Sequence, residues 1–168
     1  MSTDTKSLVR IFKSKSIAAA FFQTTDSTAP TIIRIVLSSV LWAHGAQKLL
    51  GWFGGYGFDG TMGFLTGTVG LPSVVALLVI LIEFFGAVFL VAGFATRIAA
   101  LGIIGNFLGV VISSHLSSGF FMNWSGQANK GEGLEFFVLL FGLAIISLIK
   151  GGGRASVDAV ISHNKAYA

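Results

Sequence analysis

No cysteine occurs anywhere in this 168-residue chain. Disulfides, thiolate metal sites, iron–sulfur clusters and CxxC redox pairs are therefore excluded, and with them the thiol oxidoreductases. Charge is scarce too. Asp, Glu, Lys and Arg make up 11% of the residues against 54% hydrophobic ones, a balance that belongs to a membrane protein and not to an ordinary soluble domain. Acidic residues are the rarer sign, 7 against 11 basic ones, for a net charge of +4. The basic residues gather at the ends of apolar segments, where they suit phospholipid headgroups, and this argues against nucleic acid as a partner. The only two prolines, Pro30 and Pro72, both stand where an apolar segment begins. A first-turn proline is tolerated there because its missing amide has no helical acceptor to lose.

Four apolar segments cover 30–50, 72–94, 97–115 and 133–149. Each approaches the roughly 20 residues that a spanning helix needs, the fourth being the shortest. The expected architecture is all-α: a membrane-embedded four-helix bundle over 30–150, preceded by a basic leader (1–29) and followed by a tail (151–168). In the leader, Lys6, Arg10, Lys13 and Lys15 interleave with Leu8, Ile11, Phe12, Phe21 and Phe22. IAAAFFQTTDS makes a poor signal-peptide core, so the leader is read as a retained interfacial amphipathic helix. The leader, Arg97, Lys150, Arg154 and Lys165 share one side of the membrane, whereas Lys130 stands alone on the other. By the positive-inside rule both termini are cytoplasmic.

Two glycine patterns invite a reading. Gly102, Gly105 and Gly109 are expected to make a smooth strip against which another helix packs closely, and Gly51/Gly55 repeats the same spacing. The run GYGFDG, Gly55 to Gly60, satisfies the dinucleotide-binding spacing but follows a membrane helix instead of a strand, and is discarded.

Ionisable side chains within spanning helices are costly, so each is a functional candidate. Arg34, Leu37, Leu41, His44 and Lys48 share one stripe of the first helix, with His44 and Lys48 one turn apart. Lys48 is close enough to the helix end to snorkel to water, and Arg34 and Arg97 read as boundary anchors. His44 lies roughly 9 Å inside the outer end. Glu83 falls at midmembrane, where a carboxylate must be protonated or paired, and Asn106 falls at similar depth by residue count. His115 closes the third helix and Glu135 opens the fourth, where a carboxylate also suits the exposed amides. Together these residues form a polar track from the outer surface to midmembrane, the geometry of a proton path or of a site for a lipid-soluble ligand with polar ends.

The residues HGAQKLLG in the first helix, Glu83 followed by Gly86, then Gly93, Thr96 and Arg97, GLEF at Gly133 to Phe136, and the tail GGGRASVDAVI together resemble the DoxX family of small four-helix membrane proteins. The resemblance spans about Thr31 to Ile161, with Gly152 where the family often shows proline. It implies a multi-pass protein of the bacterial inner membrane, related to membrane subunits of quinone-linked sulfur oxidoreductases. By matched position it singles out His44, Gln47, Lys48, Glu83, Arg97 and Glu135.

The leading expectation is a quinone-interacting subunit with His44, Lys48 and Glu83 as its working groups and Gln47, Asn106, His115 and Glu135 around the ligand. Histidine and lysine can donate to the quinone oxygens beside a carboxylate that handles protons, while electrons must come from elsewhere, a borrowed cofactor or a redox partner protein. A b-type haem held between His44 and His115 is a weaker version, and no other metal site is expected. The rival class is a non-enzymatic assembly partner or a carrier of lipid or protein. A solute transporter comes third and would need the chain to form a homo-oligomer.

Overall fold

The computed structural model describes residues 21–128 and 130–164, and within them the chain is all-helical. The expected interfacial helix of the leader falls mainly on residues 1–20, outside the described ones. Helix α1 is Ala29–Leu50, with Pro30 in its first turn. A short turn, Trp52–Gly54, leads to the small helix α2, Gly57–Gly63, which continues as a wider π-helical turn, Phe64–Thr68. Helix α3 is Ser73–Ala92 and α4 is Thr96–Val110, the latter extended by another π-helical turn at Val111–His115. Helix α5, Glu135–Lys150, and the short α6, Val157–Asn164, complete the described chain.

α1, α3 and the extended α4 are each long and apolar enough to cross a bilayer. The 16 residues of α5 rise only about 24 Å, shorter than the other three, yet α5 packs against both α4 and α1. Leu37 and Leu41 of α1, Leu90 of α3, Ile103 and Phe107 of α4 and Leu140 of α5 form one continuous core. Outward, large apolar side chains such as Val74, Leu101, Ile112 and Leu139 lie exposed. A surface this apolar is what lipid requires. The chain is a helical membrane protein.

Opposite the end that carries α2, the bundle is tied by the tail. Arg34, read from sequence as a boundary anchor, is instead 2% exposed. Its guanidinium donates to the carbonyls of Leu90 and Val91 at the end of α3, both at 2.5 Å, to Gly152 at 2.8 Å, and to Ala155. One arginine thus bonds carbonyls at the end of α3 and fastens the tail to them. Asp158 of α6 does the reciprocal task. Its two carboxylate oxygens accept the N–H groups of Ala95 and Thr96 at 2.8 and 2.9 Å, capping α4 from a distant part of the chain. Those bonds hold Ala95 at φ 47°, an uncommon conformation for a residue with a side chain, within the tight α3–α4 hairpin. Arg97 donates to Gln23 and Ile149 carbonyls, lacing residues before α1 to the end of α5.

Candidate functional site

α1 and α3 run antiparallel and approach closely at Gly45. A Cβ at that position would stand 2.7 Å from the backbone of Phe84, so only glycine permits the approach. The contact puts His44 at the depth of Glu83. Side chains on a helix lean toward its N-terminus. On α1 this turns Lys48 back into the bundle, and on α3 it tips Glu83 toward the α2 end, so the two meet. Lys48 Nζ lies 2.5 Å from Glu83 Oε2. The ammonium does not snorkel to the surface as its position in the sequence allowed; it neutralises a carboxylate that is 1% exposed while staying 29% exposed itself. Asn106 Nδ2 donates to the other oxygen, Oε1, at 3.4 Å. Asn106 and Glu83 lie equally far from the α3–α4 hairpin, which is why residue counting alone set them at one level.

Above this pair opens a cavity of about 700 Å³, within the size range of small-molecule sites. His44, Lys48, Glu83 and Asn106 line its deep end; Val75, Leu78 and Val79 of α3, Val110 of α4 and Phe136 of α5 line its apolar length. Toward the α2 end it meets Ser113, Ser114, His115 and Glu132, and the segment Phe64 to Leu71 covers it with Leu65 and Val69. The side chain of His115 stacks edge-on to Phe137 at 4.7 Å, with Nδ1 3.3 Å from the Val110 carbonyl. That arrangement uses the π-helical turn, which turns the end of α4 so that His115 reaches the cavity.

Five of the seven site candidates therefore share one cavity: His44, Lys48, Glu83, Asn106 and His115. Gln47 and Glu135 lie elsewhere. Gln47 Nε2 donates to the Phe53 carbonyl at 3.3 Å, bracing the turn after α1. Glu135 opens α5, and its carboxylate accepts the Met122 N–H at 3.1 Å, holding the loop between α4 and α5. Glu132, which the sequence reading passed over, does line the cavity while accepting the Asn123 N–H at 2.8 Å. Its signal was there: a second carboxylate one turn before Glu135. Ser113 and Ser114 were also missed, although they stand two turns beyond Asn106 on nearly the same face of α4.

The glycine strip of α4 needs correction. Gly102 does pack against a neighbour, for a Cβ there would lie 3.5 Å from Ile82 Cγ2. At Gly105 and Gly109 a Cβ would meet nothing within 4 Å, and both residues line the cavity. They make room, and among the described residues no helix packs on them.

A membrane-embedded helical bundle with an ion pair at the floor of an apolar cavity is the class of protein defined so far. The family model of DoxX matches residues 29–116, more than half of the chain, and the chain belongs to that family. The matched stretch holds His44, Lys48, Glu83, Asn106 and His115 and stops short of Glu132 and Glu135. A protein of Bacillus subtilis (strain 168) named "Putative oxidoreductase CatD" is 30% identical over 134 residues, which is 80% of this chain and 87% of that protein. No solved structure matches the chain.

Proposed function

We propose that this DoxX-family protein is a quinone-interacting membrane subunit of an oxidoreductase system, residing in the bacterial plasma membrane with both termini cytoplasmic. The observation that carries the reading is the cavity: apolar along its length and polar at its floor, it fits a ligand that lives in lipid and carries hydrogen-bonding oxygens at one end. The donors suit a quinone ring. Lys48 Nζ has N–H groups beyond the one given to Glu83, Asn106 contributes an amide, and His44 has a ring nitrogen able to donate or accept. The open space over Gly105 gives a flat ring somewhere to lie.

A bound quinone supplies two-electron, two-proton chemistry. The chain's part is to orient the ring, keep water from its faces with Val79, Val110 and Phe136, and hold protons beside its oxygens on His44 and the Lys48–Glu83 pair. Electrons come from a borrowed cofactor or a partner protein, the chain having no cysteine to build a cluster of its own. The name of the Bacillus subtilis relative, an oxidoreductase by designation, agrees with membership in a redox system. The test is equilibrium binding of a quinone to the protein in lipid nanodiscs, with His44→Ala and Glu83→Gln beside the wild type. Saturable binding that both substitutions weaken supports the site. Binding that is absent, or equal in all three, would instead favour a non-enzymatic assembly or carrier role.

A further inference from the structure

The cavity's shape says how its ligand enters. In the half of the bundle nearer the tail, α3 and α4 are in close contact: a Cβ at Gly86 would lie 3.4 Å from Ile103 Cδ1, and one at Gly102 would lie 3.5 Å from Ile82 Cγ2. One turn further along α4 the contact ends. Gly105 and Gly109 have nothing within 4 Å of an added Cβ, and further toward the α2 end on α3 stand Leu78 and Val75, 49% and 42% exposed although both line the cavity. Residues that line a cavity and are also open to the outside mark its mouth. This mouth lies in the wall between two spanning helices, and the surroundings of that wall are acyl chains.

The end facing the α2 segment is lined differently. Leu65, Val69 and Leu71 lie over it from one side and Met122 from the other, and the exposed Phe64, Ser113, Ser114 and Glu132 leave it an opening toward the membrane surface. A water-borne ligand entering by that opening would have to pass beneath this partial apolar cover to reach Glu83. A ligand already in the bilayer meets no such cover between Leu78 and Gly109.

We propose that α3 and α4 frame a lateral window, kept open by Gly105 and Gly109, through which the head of a membrane-resident amphiphile enters and in which its apolar tail remains. The proposal rests on the quinone reading of the same site and adds the ligand class: a ring bearing a long isoprenoid tail, with the ring on Lys48, Glu83 and Asn106 and the tail lying across Gly109 into the lipid. Val75 and Glu83 are separated by about 12 Å of helix, ample for a ring and the first units of a chain. The glycines are then specificity determinants, because any larger side chain there narrows the place where the tail must cross.

The experiment compares two probes in nanodiscs: a quinone with a polyisoprenoid tail and the same ring with only a methyl group in its place. The proteins are wild type, Gly109→Leu, and Leu78→Phe, which narrows the window from the opposite wall at an exposed position that tolerates bulk. Thermal unfolding of each variant checks that its bundle is intact. The expected result is that both window variants bind the tailed quinone at least about tenfold more weakly than wild type while keeping tailless binding within about twofold. Tailed binding unchanged in the variants overturns the window and leaves the quinone site standing, as does an equal loss of both probes in folded variants. A wild type that binds neither probe overturns the window and the quinone reading together.

Discussion

Replacing Lys48 by methionine keeps most of the side chain's length and removes its charge, leaving the buried Glu83 carboxylate without its cation. Breaking a buried pair in this way costs about 3–5 kcal/mol when both partners are fully enclosed. Lys48 is only partly enclosed and Asn106 still donates to the carboxylate, so the cost falls below that range, to about 2–3 kcal/mol. For a chain of this length that is a fall in Tm of roughly 5–10 °C. Glu83→Gln should cost less, because the freed ammonium can reach solvent, whereas the freed carboxylate cannot. The double variant Lys48→Met/Glu83→Gln should recover much of the loss, since no uncompensated charge remains. Thermal unfolding of the four proteins in one detergent, followed by circular dichroism, gives the cycle. The reasoning is refuted if Lys48→Met melts with the wild type, or if the double variant is less stable than Lys48→Met alone.

Other consequences concern the frame around the site. Gly45→Ala should force α1 and α3 apart and destabilise the protein by about 1–3 kcal/mol, measurable as a lowered Tm. Asp158→Ala removes the acceptor for two N–H groups at the start of α4 and should cost about 1–2 kcal/mol in the same assay. Arg34→Lys cannot reach four carbonyls from one ammonium, so the tail should loosen. Limited trypsin digestion should then cut after the exposed Arg154 faster than in wild type, and an unchanged rate contradicts the clamp.

The helical architecture was open to a reading of the sequence because hydropathy directly reports the solvent a helix faces. The expected segments and the observed α1, α3 and extended α4 differ only by a residue or two at their ends. Glu83 and Asn106 were recognisable as partners since a tight hairpin makes depth a matter of counting. What the sequence hid depends on contacts between remote segments. Arg34 looks like a boundary anchor until the tail is seen to return and offer it carbonyls. Lys48 looks able to snorkel until the lean of α1 turns it inward. Gly105 and Gly109 carry the pattern of a packing strip, and only the open space beside them shows that they border a cavity. Gln47 and Glu135 were singled out by the resemblance, yet their side chains support loops outside that cavity.

The most direct test of the central claim is photolabelling in native-like membranes with a tailed quinone carrying a photoreactive group on its ring, followed by mass spectrometry of the cross-linked peptides. The account predicts label concentrated on Val75 to Glu83 and Gly105 to His115, suppressed by excess unlabelled quinone and weakened by Glu83→Gln. Label spread over the outer faces of α3, α4 and α5 alike, and indifferent to competitor, would contradict it.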